Sequence, residues 1–214
     1  MSTQILLRSA ALLLAAMMAG CTSAPPEKTV APGTAAKKPP RTAQYESGRN
    51  GFQKVYVAAR NWAPDARPIR LESRPQTGEE KHDGKATVWA GTFASLAKQQ
   101  LRSFQWSGSA AADAPEAGID LGSMDVYSPS NSSTQVFETS FLKVDTDAAL
   151  AAANKKGGAA VLKKNPALAM RYVLFWDVSK GRLLWRVIYG TSESDSKLRI
   201  DVNASTGEFT RTVK

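Results

Sequence analysis

The sequence predicts an α+β protein in which one architectural unit occurs twice: a helix packed on one face of an antiparallel β-sheet. In each copy, a stretch with apolar residues at helical spacing precedes stretches in which apolar residues alternate, as in strands with one buried face. Similar residues also recur roughly 100 positions apart, since Trp89 corresponds to Trp185 and Leu71 to Leu174. These observations predict a tandem repeat of a two-layer unit.

The first unit is predicted over residues 45–118. Its helix is expected to bury side chains that lie three or four positions apart, namely Phe52, Val55, Tyr56 and Ala59. Strands around Trp89 follow, after a hydrophilic loop from Pro75 to Lys85 that is much shorter in the second copy. We therefore expect one long, exposed loop on this unit.

The second unit is predicted over residues 144–214. Asp145 or Thr146 would cap its helix, and Gly157-Gly158 would break or end that helix. After the helix, four stretches have the composition and spacing of strands: 170–176, 183–189, 198–202 and 208–213.

Residues 119–143 are predicted to form a hairpin that connects the two units. The pattern favours strands over residues 119–127 and 134–142, and the serine-rich stretch at 128–133 favours a turn between them. Whether this hairpin completes the first sheet or joins the two sheets is left open by the pattern.

The tryptophans divide into two groups. Trp89 and Trp185 occupy matching strand positions, so we expect both in the core. Trp62 and Trp106 lie beside a helix end and beside a small, polar stretch, where partner contacts are easier, although partial burial is the simpler interpretation.

The N-terminal residues have the features of a signal peptide. The positively charged Arg8 precedes an apolar run at residues 10–19, which is too short to span a membrane as a helix. The four residues that end at Cys21 are Met-Ala-Gly-Cys and resemble the lipobox of bacterial lipoproteins, with methionine in place of the usual leucine. The resemblance implies removal of residues 1–20 by cleavage between Gly20 and Cys21, and lipidation of Cys21, the single cysteine.

A tether is predicted over residues 21–44. It contains five prolines, no aromatic residue and several basic residues, so it is not expected to form a buried core. The lipid on Cys21 would hold the chain on a membrane, and the basic residues would be attracted to anionic headgroups. The residue directly after Cys21 is not aspartate, and this resembles the sorting pattern of outer-membrane lipoproteins. If the source has two membranes, the resemblance implies the outer membrane, facing the periplasm.

The C-terminal unit resembles a PepSY-type domain. The resemblance depends on an alanine-rich helix, the strands after it, and the turn Val-Asn-Ala-Ser-Thr-Gly-Glu-Phe at residues 202–209. Asn203 stands where the family has aspartate, and the first unit lacks a Thr-Gly turn. The resemblance implies a non-enzymatic module that binds or restrains envelope proteins, often peptidases. A looser, cystatin-like arrangement of a helix on a sheet is the alternative.

The sequence after Cys21 contains no established catalytic motif. His82 is the single histidine and lies in a hydrophilic turn, and the chain has no Gly-x-Ser-x-Gly elbow or phosphate-binding Gly-Lys-Ser/Thr loop. The acidic pairs Glu79-Glu80 and Glu193-x-Asp195 lie in loop-like sequence, where solvated turns are the simpler interpretation. We therefore predict that the protein is not an enzyme and uses neither a cofactor nor a metal.

The expected function is to bind or inhibit another envelope protein, or to bind a cell-wall component. An accessory role in an outer-membrane assembly machine is the first alternative, and hydrolysis is a distant one. Nucleic acid is not an expected partner despite the net charge of +9, because no aromatic-basic binding motif is present. The predicted contacts are the exposed sheet edges and the loop residues Glu79, Glu80, Lys81 and His82.

Overall fold

The computed structural model describes residues 41–79 and 81–213. The predicted signal peptide, its cleavage site at Gly20, the lipidation site Cys21, the tether as far as residue 40, and Glu80 lie outside the described residues. Within the described ranges, no helix is both long enough and apolar enough to cross a membrane.

The described residues form ten strands and three α-helices. The strands are β1 (Glu46–Ser47), β2 (Arg67–Ser73), β3 (Lys85–Ala86), β4 (Val88–Ser95), β5 (Gln100–Ser107), β6 (Gly118–Val126), β7 (Met170–Asp177), β8 (Arg182–Gly190), β9 (Ser196–Asn203) and β10 (Phe209–Val213). The helices are α1 (Gly48–Trp62), α2 (Thr146–Ala153) and α3 (Ala159–Lys164), and a π-helical segment, Asn154–Gly158, joins α2 to α3.

Eight strands form one antiparallel sheet in the order β10-β9-β8-β7-β2-β4-β5-β6, and β1 pairs separately with β3. The α+β class predicted from the sequence is therefore confirmed. The two central strands, β2 and β7, place Leu71 directly opposite Leu174. On each side of this central pair, the strands follow one another outward in chain order.

The main core lies between the helices and one face of the sheet. Side chains from α1 and α2, such as Val55 and Leu150, belong to the same buried cluster as Trp89 and Trp185. The two indoles are fully buried and lie edge to face, with ring centroids 6.4 Å apart. A side chain at Gly51 would overlap the Trp89 ring, so glycine allows this close approach of α1 to β4. The core positions predicted for both tryptophans are confirmed.

The second helical segment begins and bends where the sequence indicates. Asp145 is its N-cap, and its carboxylate accepts a 2.8 Å hydrogen bond from the amide of Thr146. Gly157 adopts a φ of 113°, which interrupts the helix, and helical structure resumes at Ala159. The glycine pair therefore bends this helical segment, which continues to Lys164.

The predicted hairpin over 119–143 is wrong in its second arm. β6 pairs with β5 and extends the sheet at one edge, but the range where the second strand was expected contains parts of two 3-10 turns, Ser132–Thr134 and Thr139–Phe141, and otherwise no regular structure. Phe137 and Leu142 are both buried in the core. Because they are five positions apart, a regular strand would direct them to opposite faces, and the turn between them removes that conflict.

Candidate binding surfaces

The helices cover one face of the sheet, and we call the opposite side the open face. One row of directly paired residues crosses this face from edge to edge. The row is Asp120, Gln105, Ala90, Glu72, Val173, Arg186, Asp201 and Arg211. It contains arginines and a carboxylate next to each other on β8, β9 and β10, so opposite charges are neighbours on these three strands.

An ion-pair network covers this part of the open face. Asp201 is fully buried and accepts two hydrogen bonds from Arg186, of 2.8 and 3.1 Å, and one of 2.8 Å from Arg211. Burial acts to lower the pKa of Arg186, but its bonds to Asp201 and Glu193 outweigh burial and raise it. The raised pKa of Arg186 keeps this guanidinium in its charged form.

A second cluster of the network is centred on Glu72, on the central strand β2 where it pairs with β7. Its carboxylate lies 2.8 Å from Arg171 Nη2 and 3.1 Å from Arg70 Nε. Burial acts to raise the pKa of Glu72, whereas these two guanidinium groups lower it and prevail. Since β2 and β7 carry these residues, the cluster ties the two central strands together, and we assign it a structural role.

The predicted binding loop is anchored at Glu79. Its carboxylate accepts hydrogen bonds from the hydroxyl of Ser109 at 2.7 Å and from the amides of Ala110 and Ala111 at 2.6 and 3.1 Å. Burial acts to raise the pKa of Glu79, but hydrogen bonds from Thr87, Ser109 and the two amides lower it. Glu79 therefore fastens the loop to the segment that follows β5.

Lys81 and His82 make further internal contacts. The ammonium of Lys81 lies 3.8 Å from the centroid of the Tyr45 ring. His82 Nε2 lies 2.8 Å from the carbonyl oxygen of Leu168, which can only accept, so Nε2 is the nitrogen that donates. The described loop residues therefore contact three separate parts of the body, although Glu79 and Lys81 line one small cavity beside β3.

The two carboxylates of the other predicted acidic pair have different partners. Glu193 forms ion pairs with Arg70, Arg186 and Arg199, whereas Asp195 accepts a 2.9 Å hydrogen bond from the hydroxyl of Thr191. Across residues 41–79 and 81–213, no group of three or more histidine, cysteine, aspartate or glutamate side chains is arranged to hold a metal ion.

A surface that the sequence reasoning missed lies on β6. Four large apolar side chains on this edge strand are exposed, and we call them the β6 row: Ile119 (44%), Leu121 (55%), Met124 (57%) and Val126 (78%). Ile119 pairs with Trp106 and Leu121 with Phe104, so the row lies on the helix-covered side of the sheet. The exposed row therefore continues the core face beyond the edge of the helix layer.

The outer backbone edge of β6 is partly occupied by its own side chains. The carboxylates of Asp120 and Asp125 accept hydrogen bonds of 2.9 and 2.7 Å from the amides of Leu121 and Val126. The amide of Tyr127 bonds inward to the carbonyl of Gln99, so the amide of Val126, one residue earlier, points away from β5. These aspartates compete with any strand that would pair along this edge.

The margin of the β6 row next to α1 is aromatic and cationic. The ring of Trp62 lies 5.9 Å from that of Phe104, and the guanidinium of Arg102 lies 5.8 Å from the same Phe104 ring. The ammonium of Lys54 lies 5.0 Å from the Trp106 ring and 3.3 Å from Glu46. Trp106 is buried and Trp62 half-buried, so of these two predicted contact candidates only Trp62 offers accessible surface.

The sequence contained a signal for this surface. Ile119 and Leu121 alternate with Asp120, and Met124 and Val126 alternate with Asp125, which indicates a strand with one apolar face. The sequence-based prediction for this range is one arm of a connecting hairpin, and it leaves the exposure of the apolar face open. Whether a helix covers the strand depends on the path of α1, and alternation along β6 carries no information about that path.

Comparisons with known proteins identify neither a family nor a function. No family model matches the chain, and no curated protein matches it. Among solved structures, the chain is similar to a "putative lipoprotein" from Clostridium difficile 630, with 10% identity, coverage of 76% of this chain and 91% of that one, and a TM-score of 0.48.

Proposed function

We propose that the protein is a lipid-anchored, non-catalytic module that binds another protein of the cell envelope through the β6 row. The observation that carries this proposal is the exposure of Ile119, Leu121, Met124 and Val126, by 44 to 78%, on one side of one strand. A contiguous apolar strip of this kind is unfavourable in water and is typical of a surface that a partner covers. The proposed anchor is Cys21, behind its lipobox-like sequence.

The proposal includes a tandem repeat for the body. The indole of Trp89 donates to the carbonyl of Glu46, two residues before α1 begins, and the indole of Trp185 donates to the carbonyl of Val144, two residues before α2 begins. The two tryptophans thus make the same contact in the two halves, which supports their descent from one duplicated unit. The C-terminal unit would be PepSY-like, with the turn at 203–207 between its last two strands.

The proposed location is the cell envelope, and the outer membrane facing the periplasm if the source has two membranes. The absence of aspartate at the position directly after Cys21 supports a location in the outer membrane. The tether would allow the body to reach partners at some distance from the lipid, because a proline-rich segment extends about 3 Å per residue.

Site-specific photo-crosslinking in the native cells tests the proposed binding surface. A photo-reactive amino acid would replace Met124 in the full-length protein, and Val178, which is also exposed but lies in the turn after β7, would serve as the matched control position. We expect one defined crosslinked protein from position 124 and none from position 178. Absence of any crosslink at 124, in protein that fractionates with membranes normally, would contradict the proposal.

A further inference from the structure

We propose that the β6 row binds an amphipathic helix with acidic residues, supplied by a different protein. This inference rests on the proposed function and specifies the chemistry of the partner. Three observations support it. The β6 row lies on the side of the sheet that the helices cover, cationic side chains lie beside it, and the chain's own helices contain few acidic residues.

A helix fits this surface better than a strand does. The outer amides of Leu121 and Val126 are bonded to the carboxylates of Asp120 and Asp125, so an added strand would have to displace both. The side chains of the β6 row, in contrast, lie on the face where α1 already packs. From Ile119 to Val126 the strand spans about 20 Å, which matches about four turns of a helix. A docked helix would lie beside α1 and extend the helix layer over β6.

Arg102 indicates that the partner helix is acidic. Arg102 pairs with Met124 across β5 and β6, and its Nε atom is buried without a hydrogen-bond partner among the described residues. Arg102 is half-buried beside the β6 row, and a carboxylate is the group that pairs best with a guanidinium. Lys54, which also pairs with Glu46, adds a second cation on the α1 side, next to Trp106.

A second copy of this chain would be a poor occupant. Neither α1 nor α3 contains an acidic residue, and α2 contains one, Asp147, on a helix composed mainly of alanine. The tether offers a single acidic residue, Glu27, and a single large apolar residue, Val30, between residues 22 and 44. The acidic, apolar helix must therefore come from elsewhere.

Binding of two model peptides tests the inference on a complete chain. The Cys21→Ser variant keeps every other residue and avoids detergent, which would itself bind amphipathic peptides. The probes are two fluorescein-labelled 18-residue peptides with the same leucine stripe, one with glutamate and one with lysine at the polar positions. We expect fluorescence anisotropy to show the glutamate peptide binding at least tenfold more tightly than the lysine peptide.

Two pairs of variants separate the contribution of apolar contacts to peptide binding from the contribution of charge. Met124→Asp should weaken binding of the glutamate peptide at least tenfold, whereas Val178→Asp, with the same charge change at another exposed site, should leave it unchanged. Arg102→Gln should remove most of the preference for glutamate over lysine, whereas Arg60→Gln, at an exposed position of α1, should retain it.

Each outcome decides a different point. Equal binding of both peptides, lost in Met124→Asp, would overturn the acidic chemistry and leave the proposed function standing. Binding of neither peptide would overturn the helix partner, and the photo-crosslinking at position 124 would then decide the proposed function separately. Dimerisation in sedimentation experiments that Met124→Asp abolishes would overturn the inference in favour of a second copy.

Discussion

The hydroxyl of Ser47 donates a 2.7 Å hydrogen bond to the carboxylate of Asp145, so the N-caps of α1 and α2 bind each other. The same carboxylate accepts from the amides of Arg49 and Thr146, at 2.9 and 2.8 Å. The two helices thus begin at one shared polar cluster. One carboxylate satisfies free amides at the start of both helices.

We expect Asp145→Ala to destabilise the protein by about 2 kcal/mol or more, because it removes caps from two helices at once. Urea unfolding at neutral pH measures the change. Asp147→Ala, at an exposed position two residues along whose carboxylate accepts from the amide of Ala148, is the control and should cost clearly less. If the two substitutions lower the free energy of unfolding equally, the shared cap contributes little to stability.

Trp185→Ala should cost about 3 to 5 kcal/mol, the range for deletion of a large core side chain. The indole is fully buried, and the substitution also leaves the carbonyl of Val144 without its donor. Thermal or urea unfolding provides the measurement, with Val178→Ala at an exposed site as the control. A nearly neutral Trp185→Ala would show that the core relaxes around the missing ring.

Much of the fold could be predicted from local pattern. Helical spacing around Val55 and alternation around Trp185 each depend on a few neighbouring residues, so the α+β class and the buried tryptophans follow directly from the sequence. The pairing of β2 with β7 joins residues roughly 100 positions apart, and no local pattern indicates it. The prediction of two units therefore did not include one continuous sheet.

The candidate site was less accessible to sequence reasoning for the same reason. Loop composition correctly placed Glu79, Lys81 and His82 near the surface. Their partners, such as Leu168 for His82, are distant in sequence and could not be inferred. The pattern predicts a strand over residues 119–127, but the exposure of the β6 row depends on how far the helix layer extends.

The stability contributed by Glu79 should depend on pH. Its pKa in the folded state lies below the ordinary value of 4.5, so its ionised form stabilises the fold above that value, and the stabilisation is lost as the pH falls through the folded-state pKa. Unfolding free energies of wild type and Glu79→Gln should therefore differ at pH 7 and converge in more acidic solution. If the difference in unfolding free energy between the two proteins stays constant down to pH 3, the stabilisation comes from the shape of the side chain and not from its charge.

Cys21→Ser should leave the protein without lipid and move it out of the membrane fraction. The prediction follows from the lipobox-like residues before Cys21 and from the absence of any other cysteine in the chain. Fractionation and mass spectrometry of the N-terminal peptide are the measurements. An unmodified thiol at Cys21 in mature wild-type protein would refute the anchor.

The aspartates of β6 should protect the protein from association between sheet edges. In the double variant Asp120→Ala/Asp125→Ala, the amides of Leu121 and Val126 lose their acceptors, while the apolar side chains beside them stay exposed. Free edge amides next to apolar side chains favour pairing with another strand, so we expect concentration-dependent oligomers in sedimentation velocity experiments. The control Asp113→Ala/Asp147→Ala changes the net charge equally at exposed positions outside β6 and should remain as dispersed as wild type. If both double variants form oligomers equally, the association results from the loss of charge repulsion. If the β6 variant stays monomeric, the twist of the edge alone prevents pairing.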